Sequence, residues 1–109
     1  MKLLFIVLNS SDKIEDVLEG LIEVGVTGAT VVDSVGMGHI IEGVPLFAGM
    51  RNVFRSAKPH NNIIFSVITD SQAGETMKVL DSILGCSLKE RKGIAFIMPI
   101  ESAIGVCKD

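Results

Sequence analysis

Fifteen residues, Val24 to Gly38, constrain this chain more than any other stretch: Val-Gly-Val-Thr-Gly-Ala-Thr-Val-Val-Asp-Ser-Val-Gly-Met-Gly. Gly25 can take the left-handed conformation that closes a helix, so the helical pattern before it should stop there. Ala29 to Val35 is rich enough in β-branched residues to form a strand. Gly36, Met37 and Gly38 then predict a sharp turn, or a place where a ligand can approach the backbone closely. A helix end, a strand and a Gly-x-Gly exit thus follow one another in fifteen residues, and a Gly-x-Gly by itself means simply a turn.

The preceding segment supplies the helix. Lys2 to Leu8 is apolar at consecutive positions and predicts a strand covered on both faces. Asn9, Ser10 and Ser11 form a turn, and Asp12 with Glu15 has the spacing of a capping pair. Ile14, Val17, Leu18, Leu21 and Ile22 follow at helical spacing, with Lys13, Glu15, Asp16, Glu19 and Glu23 opposite. Beyond Gly38 comes an irregular region from about His39 to Asn62. Ile63 to Ile68 is a third strand, apolar except for Ser66. Asp70 or Ser71 caps a second helix whose apolar face is Ala73, Met77, Leu80 and Leu84, closed by Gly85. Ile94 to Met98 is a fourth strand, stopped by Pro99. The order is βαββαβ, an α+β ferredoxin-like sandwich with a long loop between strands 2 and 3, in one domain over residues 1–109.

Composition excludes several classes of function. Hydrophobic residues make up 48% of the 109, charged residues 21%, and the formal charge is −3. That balance argues for a folded domain and against broad nucleic-acid binding. Cys86 and Cys107 are too few for a disulfide framework and share no metal-ligand spacing. The apolar run Leu3 to Leu8 is six residues, far short of a membrane span, so a soluble cytoplasmic protein without membrane insertion is expected. In a ferredoxin-like layout both helices cover one face of the sheet. Strands one, three and four are nonetheless apolar at adjacent positions, so the open face is apolar too and predicts a homo-oligomer that buries it.

Leu21 to Gly38, with Glu-Val-Gly-Val-Thr-Gly-Ala-Thr-Val and Gly-Met-Gly, resembles the corresponding segment of the nitrogen-regulatory PII signalling proteins. The resemblance continues through Leu46-Phe47-Ala48-Gly49 and reaches Phe96-Ile97-Met98-Pro99-Ile100-Glu101. It implies a ferredoxin-like homotrimer that binds adenine nucleotides (ATP, ADP or AMP) as effectors in clefts between subunits, with no resident cofactor. It also implies that the strand 2–3 loop, over 37–62, touches an enzyme or transporter target. Thr30 matches the family's threonine near the adenine, and Gly36 and Gly38 match glycines near the phosphates. With Met37 between them, they would face Lys89, Arg91, Lys92 and Gly93 of a neighbouring subunit. The family's Thr-Gly-rich phosphate motif is replaced there, and two arginines after strand 4 are matched by Gly105 and Cys107. Each charge-assisted hydrogen bond is worth about 1.5–3 kcal/mol. Losing two corresponds to roughly a hundred- to ten-thousand-fold in affinity.

Within the 37–62 region, Leu46, Met50, Val53 and Phe54 fall at helical spacing, and Pro45 suits a first helical position. An amphipathic helix near Pro45 to Arg55 is therefore predicted, with Leu46, Phe47, Met50 and Phe54 as partner-binding residues. The loop tyrosine that some family members modify is matched by Asn52, and the chain has no tyrosine. His39 and His60 lack a third metal ligand nearby and are read as surface histidines. No catalytic arrangement is legible from spacing. Two alternatives remain. One is a structural or metal-tolerance trimer resembling the CutA proteins. The other is a small ferredoxin-like hydrolase, disfavoured because the turn after strand 1 carries no arginine to hold a phosphate.

Overall fold

A computed structural model of the chain describes residues 1–9, 11–50, 61–85 and 92–106. Strand β1 spans Lys2–Leu8, helix α1 Ile14–Glu23, strand β2 Thr30–Ser34 and helix α2 Met37–Glu42. Strand β3 is Asn61–Ile68, helix α3 Asp70–Leu84 and strand β4 Gly93–Pro99. The four strands form one sheet in the order β2-β3-β1-β4, with every neighbouring pair antiparallel. That is the ferredoxin-like α+β arrangement.

Period-two alternation sends Leu4, Ile6 and Leu8 of β1, with Ile64 and Ile68 of β3, to the helix side. There they meet Val17 and Leu21 of α1 and Leu80 and Leu84 of α3 in one buried core. Burying each such side chain stabilises the fold by about 1.5–3 kcal/mol. Gly20 lies in the same layer, where α1 packs against α3. Ile22, expected on the buried face of α1, is 64% exposed.

Helix ends differ in detail from expectation. A 3₁₀ turn over Ser11–Lys13, which holds Asp12, precedes α1, and Lys13 directly before the helix makes no side-chain cap bond. Helix α3 is capped by Thr69, not by Asp70 or Ser71, which lie inside its first turn. The Thr69 hydroxyl accepts from Gln72 N at 3.2 Å while Thr69 N donates to Gln72 Oε1 at 3.0 Å, a complete capping box. Gly25 and Gly85 close the two long helices at φ 87° and 51°, values that suit glycine alone.

The connection between β2 and β3 is where the fold departs most from the expected irregular loop. Its described part is helical: α2, then a 3₁₀ helix over Pro45–Met50, which begins at Pro45 as the sequence suggested. The expected extension to Arg55 lies outside the described residues. Ser34 Oγ donates to Asn61 O at 3.2 Å, and Asn62 Nδ2 donates to Asp33 Oδ1 at 2.8 Å. These two bonds fasten the base of the excursion.

Candidate functional site

The loop from Gly25 to Ala29 enters β2 with its backbone fixed from three sides. Val26 N donates to Leu21 O at 2.8 Å, Gln72 Nε2 donates to Gly25 O at 3.0 Å, and the Ser66 hydroxyl donates to Gly28 O. Ser66, the one polar residue in an otherwise apolar run, is thus the buried tie between β3 and this loop. Around the ties lies a cleft of about 380 Å³ lined by the 25–28 loop, the Ser66 to Thr69 end of β3, Gln72 and Val106. Neither Ser66 nor Gln72 was singled out from sequence as a site residue. Ser66 was visible as a break in pattern, whereas the reach of Gln72 across 47 positions to Gly25 had no local signal.

Thr30 opens β2 with its side chain exposed, opposite Phe65 of β3. Gly36 and Met37 do not make the sharp turn expected of Gly-x-Gly. Gly36 is the N-cap of α2 at φ −76° and ψ 154°, an extended conformation open to any residue, and Met37 and Gly38 are already helical. Ile40 N returns to Gly36 O at 3.3 Å. Met37, Ile40, Ile41 and Val44 are spaced as a helical stripe, and Met37 and Ile40 are exposed. Leu46 is 84% exposed. Of the other expected partner-binding residues, Phe54 and the side chains of Phe47 and Met50 lie outside the described set.

Lys92 and Gly93 stand at the start of β4. Lys92 O accepts from Asn9 N at 2.9 Å, tying that start to the end of β1. A Cβ on Gly93 would collide with the Val7 carbonyl and lie 3.2 Å from Leu8 Cα, so only glycine lets β4 approach β1 here. Lys89 and Arg91 are outside the described residues, as are His60, Asn52, Cys86 and Cys107. Within one chain Gly36 to Gly38 do not meet Lys92 and Gly93, the described residues of the second group. Asp33, Asn62, Leu8 and Gly93 form one row across the sheet, so the β2 end and the β4 start lie on opposite edges. Three strand spacings put about 14 Å between them.

The sheet face away from the helices carries three apolar rows. Leu3, Val67 and Met98 form one, Phe5, Phe65 and Phe96 the next, and Val7, Ile63 and Ile94 the third. Phe5 and Phe96 stack with ring centroids 5.2 Å apart. Phe65, Val67, Ile94, Phe96 and Met98 remain exposed, by between 36% and 52%. Among the described residues no three His, Cys, Asp or Glu gather closely enough to hold a metal ion, and no helix is long and apolar enough to cross a membrane.

A ferredoxin-like subunit with one bare apolar face and a helical excursion between its second and third strands defines the class. The whole chain, residues 1–109, matches the family model of nitrogen regulatory protein P-II, and the chain belongs to that family. The family is described as one of nitrogen regulatory proteins. No curated protein sequence matches the chain.

Proposed function

We propose that this protein is a cytoplasmic PII-type homotrimer, one domain over residues 1–109, that senses a small anionic ligand and signals through residues 37–62. The ligand class favoured is an adenine nucleotide, bound between Thr30 and Gly36 to Gly38 of one subunit and Lys89 to Gly93 of the next. The target would be an enzyme or transporter, and the regulated process nitrogen metabolism. The observation that carries the reading is the excursion after β2, two short helices that leave Met37 exposed between the expected ligand glycines and Ile40 and Leu46 exposed beyond them. A ligand that fixes the direction of α2 would also fix where those side chains point. The CutA-type alternative expects β2 and β3 to continue as a long hairpin. Their pairing instead stops at Ser34 and Asn61, and the described connection is helical.

The test is calorimetric titration of ATP, ADP and AMP into the wild type, Lys92→Ala and Gly38→Val, with light scattering on each. A mass three times that of the chain and one preferred nucleotide are expected. Lys92→Ala should weaken binding about 10- to 150-fold, as loss of one charge-assisted bond predicts. Equal binding by all three proteins would place the ligand elsewhere, and a monomer mass would remove the cleft altogether.

A further inference from the structure

The segment from Gly25 to Ala29 carries the chain from the end of α1 into β2, and Val26 is its one buried residue. Gly25 sets the direction of the segment at φ 87° and has no side chain with which to anchor it. The hold of the segment on the rest of the fold therefore rests largely on hydrogen bonds. Those of the turn itself, Gly25 N to Ile22 O at 3.0 Å and Val26 N to Leu21 O at 2.8 Å, tie it only to α1. Two side chains tie it to other elements: Ser66 of β3 donates to Gly28 O, and Gln72 of α3 donates to Gly25 O.

The carboxamide of Gln72 is engaged at both of its ends. Oε1 accepts from Thr69 N at 3.0 Å, completing the capping box of α3, while Nε2 donates to Gly25 O at 3.0 Å. One partner is a donor and the other an acceptor, so one orientation of the amide satisfies both and the flipped one satisfies neither. The residue type follows from that pairing. Glutamate supplies the acceptor for Thr69 N but no donor for Gly25 O, and asparagine has the right groups on a side chain one methylene shorter. The cap of α3 alone asks only for glutamine or glutamate at this position. The need for an amide comes from the loop.

We infer that Gln72 is a positioning residue for the ligand site: its amide latches the 25–28 loop to the first turn of α3 and so fixes how Thr30 enters β2. The loop and Gln72 both line the cleft of about 380 Å³, and Thr30 opens β2 two residues beyond Gly28. Gln72 acts through the Gly25 carbonyl. A loop held in place before a ligand arrives does not have to be ordered by it, so loss of the latch is read as weaker binding. The role in binding rests on the proposed function for Thr30 being a ligand contact; the latch itself does not depend on the ligand.

Gln72→Glu tests it in the full-length protein, because it keeps the acceptor of the cap and removes the donor of the latch. Gln72→Met, neutral and of similar length, also removes the latch and separates its loss from the effect of an added charge. Ile6→Val, a change in the buried core outside the cleft lining, controls for lowered stability alone. Residue-resolved deuterium exchange, urea unfolding and calorimetric titration of ATP are measured on all four proteins. In both Gln72 variants the Val26 amide should exchange faster and the Kd for ATP should rise about 2- to 12-fold, the range that one net hydrogen bond supplies. In Gln72→Glu the amide of residue 72, held by the Thr69 hydroxyl, should exchange as in the wild type. Ile6→Val should lower the urea midpoint and leave the ATP affinity unchanged. Unchanged Val26 exchange in both Gln72 variants would overturn the latch. Faster exchange with wild-type ATP affinity, or an affinity loss confined to Gln72→Glu or matched by Ile6→Val, would overturn the positioning role. A wild type that does not bind ATP would remove the proposed nucleotide and the positioning role with it, and Val26 exchange would then decide the latch alone.

Discussion

The same substitution, glycine to alanine, should have opposite signs at two helix positions of this fold. In α1, a Cβ on Gly20 would lie 2.6 Å from Val79 Cγ1 and 3.0 Å from Ile83 Cδ1 of α3. In α3, a Cβ on Gly74 would meet nothing within 4 Å. Both changes gain about 1 kcal/mol of helix propensity. At Gly74 nothing opposes the gain, so Gly74→Ala should stabilise by about 0.5–1 kcal/mol. At Gly20 the new methyl sits about 1 Å inside the normal contact distance to Val79. Ile83 presents the end of a flexible side chain and can give way. Val79 is β-branched, holds one rotamer in a helix and cannot turn aside. Overpacking of this kind costs about 1–3 kcal/mol. The cost exceeds the gain, and Gly20→Ala should destabilise by about 1 kcal/mol.

Urea unfolding at one fixed protein concentration reads both changes as shifts of midpoint, with concentration held constant because assembly adds to apparent stability. Val79→Ala supplies the internal check, since it removes the obstructing methyls. In that background Gly20→Ala should recover its propensity gain, giving a coupling of about 1–2 kcal/mol. If Gly20→Ala stabilises as much as Gly74→Ala, or its effect is the same with and without Val79, the close approach of α1 to α3 is not what holds Gly20 in place.

Thr69→Ala should cost about 1 kcal/mol in the same assay by removing the α3 cap, and Thr69→Ser should restore most of it. Gly93→Ala should cost about 1–3 kcal/mol and raise deuterium exchange along β4, because the new Cβ drives that strand away from the Val7 carbonyl. Phe5→Glu places a charge in the middle of the apolar rows and should lower the light-scattering mass to that of one chain while far-ultraviolet circular dichroism stays unchanged; a retained oligomer would mean this face is not the contact.

Much of the fold was legible because its signals are local. The stripe Ile14, Val17, Leu18 and Leu21 names α1, and Gly25 and Gly85 mark helix ends since both need positive φ. Gly36 and Gly38 misled for the converse reason. Glycine permits a left-handed bend without requiring one, and Gly36 takes an ordinary extended φ ahead of α2. The contrary signal was present in Met37, Ile40, Ile41 and Val44 at helical spacing. Helix α2 has only six residues, too few for that stripe to stand out over the glycines beside it. The ties from Ser66 to Gly28 and from Gln72 to Gly25 join residues far apart in sequence, and no periodicity announces such bonds.

The site was less legible than the fold because alternation along a strand reports faces and says nothing of edges. Residues in β1 read as apolar on both sides, and the second side is real: Leu3, Phe5 and Val7 belong to the open face while Leu4, Ile6 and Leu8 enter the core. Where Thr30 and Gly36 stand relative to Lys92 follows only from the order β2-β3-β1-β4, which separates them by the whole width of the sheet. Apolar strands without alternation thus mark a second apolar face, and only the strand order tells which residues at its margins share an edge.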